Sequence, residues 1–547
     1  MQGNKILGAC IGNCVHVAGI INFLRLAQNH GYDTEFLGPA IGIKKFVSAI
    51  KDKQPDLAVV SYRLSPETAQ DLFNDLKKEL RKYHLENTRL AFGGTTSVAK
   101  VARETKMFEA VFSGAESIQT IINYLKAKSG NNAKTDYAQT LVERIKQNYP
   151  YPLLRHHLGL KTVKQTVIDA KKIALAKVLD IISIAPDQNA QQYFFTPNQM
   201  PKSGSGAGGV PIRKASDLKA IYQATRCGNY PLLRCYAGTD HLIDWAKMLV
   251  KTIRIAWGAV PLFWYNELDR RSNRTLLNAI KENQATIKWY AKHNIPIEVN
   301  DAHQWSLRDS HDALAVATAY LAAYNAKKLG VRNYVSQYML NTPPETSPQM
   351  DLAKMLAKIE MIESLHDSNF NSFRQIRTGL RSMPPEPDIA KGHLAASVLV
   401  GMMLKPHIVH VVGYCEANYN ATAKEIIESA KITHGAIRLA LKQLPNIISD
   451  RIIQKRKQEL IQQAKLILNA IKEINKKVAD PLTNPDVLYT AVKNGILDAP
   501  HLVDSKVAQG TIITAPINGK YLVINPRTGK PMTETQRLKT LLHKGNK

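Results

Sequence analysis

The sequence predicts two α/β units in series: a doubly wound, Rossmann-like parallel sheet, then a TIM-type eight-fold β/α barrel. Three observations predict this. Short apolar runs alternate with helix-period segments up to about residue 126, a polar stretch with prolines interrupts them, and alternation resumes at longer spacing from about 210 to 441. With 547 residues the chain also exceeds what one hydrophobic core serves, and typical domain sizes give about two to four units.

In the first unit, residues 1–128, NKILGAC, DTEFLG, PDLAVVSY, TRLAFGG and EAVFSG read as short buried strands. IINFLRLAQNHG, KKFVSAIKDK, ETAQDLFNDLKKELRKY and SIQTIINYLKAK carry a period near 3.6. Such alternation implies a parallel sheet covered by helices, whose ligands sit beyond the carboxyl ends of the strands. Residues 129–205 are expected to link the units and wrap one of them, because KSGNNAKTDYAQ is polar and NYPYPLLRHHLG holds two prolines. The run GSGAGG, Gly204 to Gly209, fits GxGxxG only formally; no strand precedes it and Pro211 interrupts the helix that should come next, so it reads as a flexible loop.

The barrel is expected over residues 206–445. Six strands are legible, in LLRCYAG, AVPLFWYN, IPIEVND, NYVSQYML, SFRQIRT and PHIVHVVGY, separated by helices such as HLIDWAKMLVKTI and RDSHDALAVATAYLAAYNAKKLG. Residues 446–547 read as a charged amphipathic helix and a tail with a hairpin at GTIITAPINGKYLVINPRTGKP.

Lys and Arg number 73 against 45 Asp and Glu, a net charge of +28. The excess is spread over mixed-sign helix faces without interleaved aromatics, which argues against a nucleic-acid partner and for solvated surface. No apolar run reaches the roughly 18 to 20 residues of a membrane span, and Met1 to Lys5 lacks a secretory start, so a cytoplasmic, membrane-free protein is expected. Five scattered cysteines fit a reducing compartment and match no zinc spacing.

The stretch ACIGNCVHVAGI places His16 between Gly12 and Gly19, just past the first strand. A packing histidine would be the ordinary reading. Three elements in register change it: Cys14-Val15-His16-Val17-Ala18-Gly19 after the first strand, Ser61 in SYRLSP after the third, and Gly93-Gly94 in FGGTT after the fourth. Here the chain resembles the cobalamin-binding domain of methionine synthase and the adenosylcobalamin mutases, which carries Asp-x-His-x-x-Gly, then Ser-x-Leu, then Gly-Gly. The resemblance implies that His16 is the lower axial ligand of cobalt, replacing the cofactor's benzimidazole, whose nucleotide tail threads the sheet. Ser61 would meet the tail's polar atoms, Gly93 and Gly94 would clear its path, and Gly19 would let the helix start pack close to the nucleotide. In two places the chain departs from the pattern. Cys14 stands where the family has the aspartate that polarises the histidine, with Asn13 beside it as a substitute; and SYRL spaces Leu64 one residue further from the serine than the family's leucine.

The second unit resembles the barrel of glutamate-mutase-type carbon-skeleton isomerases. That implies an adenosylcobalamin-dependent mutase acting by radical rearrangement on a small carboxylate substrate, an amino acid included, with methylcobalamin as the alternative form of the cofactor. Arg234, Arg374 and Arg377 are the candidate carboxylate clamp, since guanidinium grips carboxylate through paired hydrogen bonds. Glu298, Glu267 and Glu416 are candidates to hold an ammonium or move protons, with His303 and His410 as their partners. Tyr265, Asn300, Gln337 and Asn341 complete the polar strand ends expected to line the substrate. A corrinoid methyltransferase and a non-enzymatic cobalamin carrier are the alternatives, and either class admits a homodimer. An aminomutase would need a pyridoxal lysine, and no lysine has a distinctive setting in the sequence.

Overall fold

The computed structural model describes residues 5–116, 118–128, 137–201, 203–446 and 449–545. The chain forms two compact units, 1–136 and 137–547.

In the first unit, β1 (Lys5–Cys10), β2 (Asp33–Phe36), β3 (Leu57–Tyr62), β4 (Leu90–Gly94) and β5 (Ala110–Phe112) form one parallel sheet in the order β2-β1-β3-β4-β5. Its central strands are apolar because both faces are covered; every residue of β3 is buried. The covering helices show the pattern that packs them. Helix Pro66–Lys82 buries Ala69, Phe73, Leu76 and Leu80, one per turn, and starts at Ser65, whose side chain accepts from the Thr68 N–H with proline following. This strand order reverses direction between β1 and β3, which opens a crevice at their carboxyl ends. His16 and Ser61 belong to the segments that flank it.

The second unit is built on eight parallel strands: β6 (Leu153–Leu158), β7 (Ile181–Ile184), β8 (Leu232–Cys235), β9 (Gly258–Val260), β10 (Ile297–Val299), β11 (Asn333–Leu340), β12 (Asn371–Thr378) and β13 (Ile408–His410). The ladder runs β8-β7-β6-β13-β12-β11-β10-β9. Single backbone bonds span its open seam: Ala256 N–H donates to Leu233 C=O (2.8 Å) and Ala237 N–H to Ala259 C=O (3.3 Å). The result is a nearly closed β/α barrel.

Two of the eight strands, β6 and β7, come from the stretch expected to be linker, so the barrel begins at Leu153 and not at residue 206. Ahead of β6, helix Leu141–Asn148 places Leu141 and Ile145 in the same apolar cluster as Leu153, Ile181, Leu232, Trp257, Val335, Phe373 and Ile408. That cluster plugs one end of the barrel. The alternate residues Leu154, Ile182, Leu233, Ile297, Tyr334, Ile376 and Val409 pack outward on the helical layer, as a period of two requires. The glycine run after β7 is not a free loop either. Gly206 N–H donates to Asp187 Oδ2 (2.8 Å), and a Cβ on Gly209 would stand 2.4 Å from the Ala185 carbonyl.

The carboxyl-terminal segment belongs to this unit. Helix Arg451–Glu473 buries Ile453, Leu460, Ile461, Ala464, Ile467, Leu468 and Ile471, and β14 (Thr514–Ile517) pairs with β15 (Lys520–Val523) as the expected hairpin. A buried ionic cluster ties these pieces to the barrel's helices. Lys354 Nζ lies 3.2 Å from Asp312 and 3.1 Å from Asp351 and donates to Thr342 C=O, while Asp312 also pairs with Arg456 and accepts from the Tyr521 N–H. Among the described residues no helix is long and apolar enough to cross a membrane.

Breaking a buried ion cluster on one side leaves unpaired charge, at a cost of about 3 to 5 kcal/mol. Lys354→Met is therefore expected to lower the unfolding free energy of the second unit by that amount, read by urea titration, with the first unit's transition unchanged.

Candidate cofactor groove and candidate active site

In the first unit, Gly19, Ser61, Gly93 and Gly94 line one cavity of about 430 Å³ with Phe23, Val60, Arg63, Phe112 and Glu116. The cavity lies between helix Ala18–Gln28 and the carboxyl edge of the sheet. A Cβ on Gly19 or Gly93 would meet nothing within 4 Å and would project into open space, whereas one on Gly94 would stand 2.5 Å from the Tyr62 carbonyl. Gly94 therefore keeps two strands packed, while Gly19 and Gly93 keep the groove wide. Ser61 is buried at the end of β3, with its residue neighbours Val59 and Val60 on the same wall.

His16 is exposed on the loop after β1, next to Val15, which is 62% exposed. Its Nδ1 lies 3.9 Å from Cys14 Sγ. Cys14 thus stands at the nitrogen where a polarising group belongs, and Nε2 is the nitrogen left for a metal. Asn13 does not substitute for the missing aspartate, because its Oδ1 accepts from Tyr62 Oη (3.2 Å). Leu64 is 40% exposed and does not line the groove; the extra residue in SYRL puts Arg63 there instead.

The second site is the barrel interior, on the side of the apolar plug toward the strands' carboxyl ends. The inward positions two and four residues beyond the plug are polar on strand after strand: Arg155 and His157, Ser183, Arg234 and Tyr236, Glu298 and Asn300, Gln337, Gln375 and Arg377, and His410. Interiors of such barrels are ordinarily filled by branched apolar side chains. Glu298 is the centre of this one. Its Oε2 accepts from Arg234 Nη2 (3.1 Å) and Trp257 Nε1 (2.9 Å) and lies 3.7 Å from Arg155 Nη1. Burial alone would raise its pKa, but Arg234 and Arg155 hold it down at about 2. Both guanidiniums also lie over the Trp257 ring, Arg155 at 5.7 Å and Arg234 at 5.4 Å.

One carboxylate does not balance the cations around it. Burial and the neighbouring Arg234 push Arg155 down to about 9 against the pull of Glu298. Among the described residues, Nε and Nη1 of both Arg155 and Arg234, and Nε of Arg377, are buried without a hydrogen-bond partner, as are His157 Nδ1 and Ser183 Oγ. The surplus is of donors and of positive charge. Three imidazoles stand in this field. His410 accepts from Arg155 Nη2 (2.9 Å), and His303 accepts at Nδ1 from Gln337 (2.8 Å), which in turn accepts from Gln375 (3.0 Å). Burial and the arginines hold His410 and His157 well below 6.5 and His303 at about 3.

The structure brings together Arg234, Glu298, Gln337, His303 and His410, and it pairs Asn300 with Tyr265 Oη (3.4 Å). Other expected site residues are elsewhere. Arg374 faces the helical layer, where Glu363 holds it through two bonds (2.7 and 2.9 Å); it lies three residues from Arg377, so the two point to opposite faces of β12. Glu267 caps helix Leu276–Lys292 by accepting from the Leu276 N–H (2.7 Å). Glu416 accepts from Gly413 N–H (2.9 Å) and pairs with His156 (2.8 Å); His156 alternates with the inward Arg155 and His157. Asn341 accepts from Ser397 Oγ (2.9 Å) at the end of β11. Glu298 Oε2 is taken up by Arg234 and Trp257, and with its pKa held at about 2 the carboxylate does not exchange protons near neutrality. A distinctive lysine does exist: Lys358 is buried, and burial with the neighbouring Lys354 pushes it down to about 7 against Asp312 and Asp351.

Arg155, His156, His157 and Ser183 escaped sequence reasoning because their strands were read as linker. The signal was present in LLRHHL, where leucines at 154 and 158 fall on one face and Arg155 and His157 on the other.

No protein-family model matches the chain, and no curated protein matches it. Among solved structures it is similar to a cobalamin-binding protein from Desulfitobacterium hafniense DCB-2, at 21% identity over 23% of this chain and 58% of that one, TM-score 0.20. It is also similar to the carboxyl transferase domain of Rhizobium etli pyruvate carboxylase with pyruvate and biocytin, at 11% identity over 65% of each chain, TM-score 0.28. A third is the apo form of the cobalamin-dependent S-adenosylmethionine radical enzyme OxsB, at 11% identity over 89% of this chain and 70% of that one, TM-score 0.18. The chain spans less than two thirds of the length of the first two. At these scores and identities none of the three likenesses defines a family or an activity for this chain.

Proposed function

We propose that this chain is a cobalamin-dependent enzyme of the carbon-skeleton isomerase type, acting on a small carboxylate-bearing substrate. The groove carries the reading: Gly19, Ser61, Gly93 and Gly94, distant in sequence, line one cavity beside the loop that exposes His16. An exposed imidazole suits cobalt, and a groove kept open by glycines suits a nucleotide tail. Cys14 can orient His16, but a thiol polarises an imidazole less than a carboxylate does. His16 and the groove would hold adenosylcobalamin, which would supply radical chemistry when bound.

The barrel's own residues bind and orient. Arg155, Arg234 and Arg377 offer unpartnered donors to a carboxylate, and the apolar plug beneath them lowers the local dielectric, which strengthens the attraction. Glu298 stays ionised, and His157, His303 and His410 stay neutral, so none of these four moves protons near neutral pH. That favours chemistry in which the protein positions a substrate without acid–base exchange.

In protein loaded with cobalamin and reduced by one electron, the electron paramagnetic resonance spectrum is expected to show coupling to a histidine nitrogen that changes on ¹⁵N-histidine labelling and vanishes in His16→Ala. Coupling indifferent to the label would refute the ligand assignment. Gly93→Leu should fill the groove and weaken cobalamin binding by about tenfold or more. With adenosylcobalamin and a panel of carboxylic acids, an organic radical is expected; methyl transfer to cobalt without a radical would point to a methyltransferase.

Glu298 also makes a pH prediction. Its folded pKa of about 2 lies below the ordinary 4.5, so the stabilisation is present above pH 4.5 and is lost as pH falls toward 2. The stability difference between wild type and Glu298→Gln is therefore expected to be about 3 kcal/mol near pH 6 and to shrink steadily below pH 4.5, read by denaturant unfolding.

A further inference from the structure

His157 is fixed on several sides. Its ring stacks on Tyr236 (centroids 4.9 Å) and meets His410 edge-on (4.6 Å). Nε2 lies 2.8 Å from Tyr236 Oη and 3.2 Å from Arg155 Nη2. A guanidinium has hydrogens and no lone pair to offer, so Nε2 is the accepting nitrogen of the ring. A neutral imidazole carries its one proton on the other nitrogen. Nδ1 is therefore an N–H donor, and it is buried with no partner among the described residues. Buried polar groups are ordinarily satisfied, and one that is not bears the full cost of its desolvation.

The groups around it are of one kind. Arg155, Arg234 and Arg377 all act on His157, and the unpartnered nitrogens of these arginines share the interior with Ser183 Oγ, which faces His157 across the β6–β7 register. Neutrality fits this place, since a second proton on the ring would add charge where cations are already in excess. What the ring can offer is direction: a rigid N–H with a fixed tautomer, beside guanidiniums that supply the charge.

We propose that His157 Nδ1–H is a substrate-binding donor that bonds a carboxylate or carbonyl oxygen of the molecule held in the barrel, with Arg155 fixing its tautomer and the stacked Tyr236 holding its ring. The proposal rests on the anionic-substrate reading of the barrel and adds to it the residue that sets the substrate's orientation.

The tautomer can be read on the unsubstituted full-length chain by ¹⁵N nuclear magnetic resonance of labelled histidines, with the His157 signals identified by their loss in His157→Asn. The expected result is a protonated Nδ1 and an unprotonated Nε2 from pH 6 to 8; the opposite tautomer, or titration within that range, would overturn the proposal. Succinate, titrated calorimetrically, is the probe for the site. His157→Leu is expected to bind it about tenfold more weakly, while His157→Asn, whose amide N–H can occupy the place of Nδ1–H, should recover most of the loss. The Nδ1 resonance of the wild type should also shift as succinate binds. Equal affinity of wild type and His157→Leu would refute the role of His157 and leave the anion site standing. Failure of the wild type to bind succinate would instead remove the anionic-substrate reading, and this proposal with it.

Discussion

Glu298 lies between two guanidiniums in an interior closed off by apolar side chains, and it neutralises the charge of only one. Removing an ion from water costs several kcal/mol even after relaxation, and a buried pair recovers this only with good geometry and further hydrogen bonds. Glu298 has both, from Arg234 and the Trp257 indole. Arg155 does not: its pKa falls, and two of its nitrogens go unpartnered. Such an interior is less stable than a branched apolar one would be, and the surplus is of the sign and donor type that an anion would satisfy. Stability set below its optimum at a site that binds charge is a common feature of enzymes.

The two units solve the same geometric problem in different ways. Parallel strands end together, and at that edge side chains from segments far apart in sequence meet without strain. In the sheet the strand order reverses between β1 and β3, and the crevice opens there, with His16 and Ser61 to either side. What the sheet contributes is room, through Gly19 and Gly93. In the barrel the strands close on themselves, so the inward positions just above the plug converge, and what the barrel contributes is charge.

This difference explains what could be read from the sequence. The sheet's central strands are apolar on both faces and stand out as runs, and Gly19, Ser61, Gly93 and Gly94, which line the groove, sit in local motifs that the sequence displays. Asn13 was misjudged because its partner, Tyr62, lies on another strand. In the barrel, the residues that form the site hide the strands that carry it. LLRHHL alternates leucine with arginine and histidine in place of the usual apolar inward face, so it resembles a loop, and two strands were lost to the linker. Arg374 and Arg377 were grouped because both are basic near a strand end, although a period of two puts residues three apart on opposite faces. Glu267 and Glu416 have the residue type for catalysis, but one caps a helix and the other pairs with a histidine outside the inward set.

Electrostatics then limits what the barrel can do. Burial, with Arg377 and Arg155 nearby, disfavours the imidazolium and holds His303 at about 3, while Arg234 and Arg155 outweigh burial at Glu298 and hold it at about 2. A general acid or base works best with a pKa near the pH at which it acts, and these groups are several units away from it. Asp301, raised to about 7 by burial, does titrate near neutrality, but its oxygens accept from the Leu262 and Phe263 N–H groups and hold the segment after β9. The inward-facing groups therefore resemble a fixed array of donors more than a proton relay. An array of that kind can hold an anion in one orientation without exchanging protons with it, because its donors are fixed before the anion arrives.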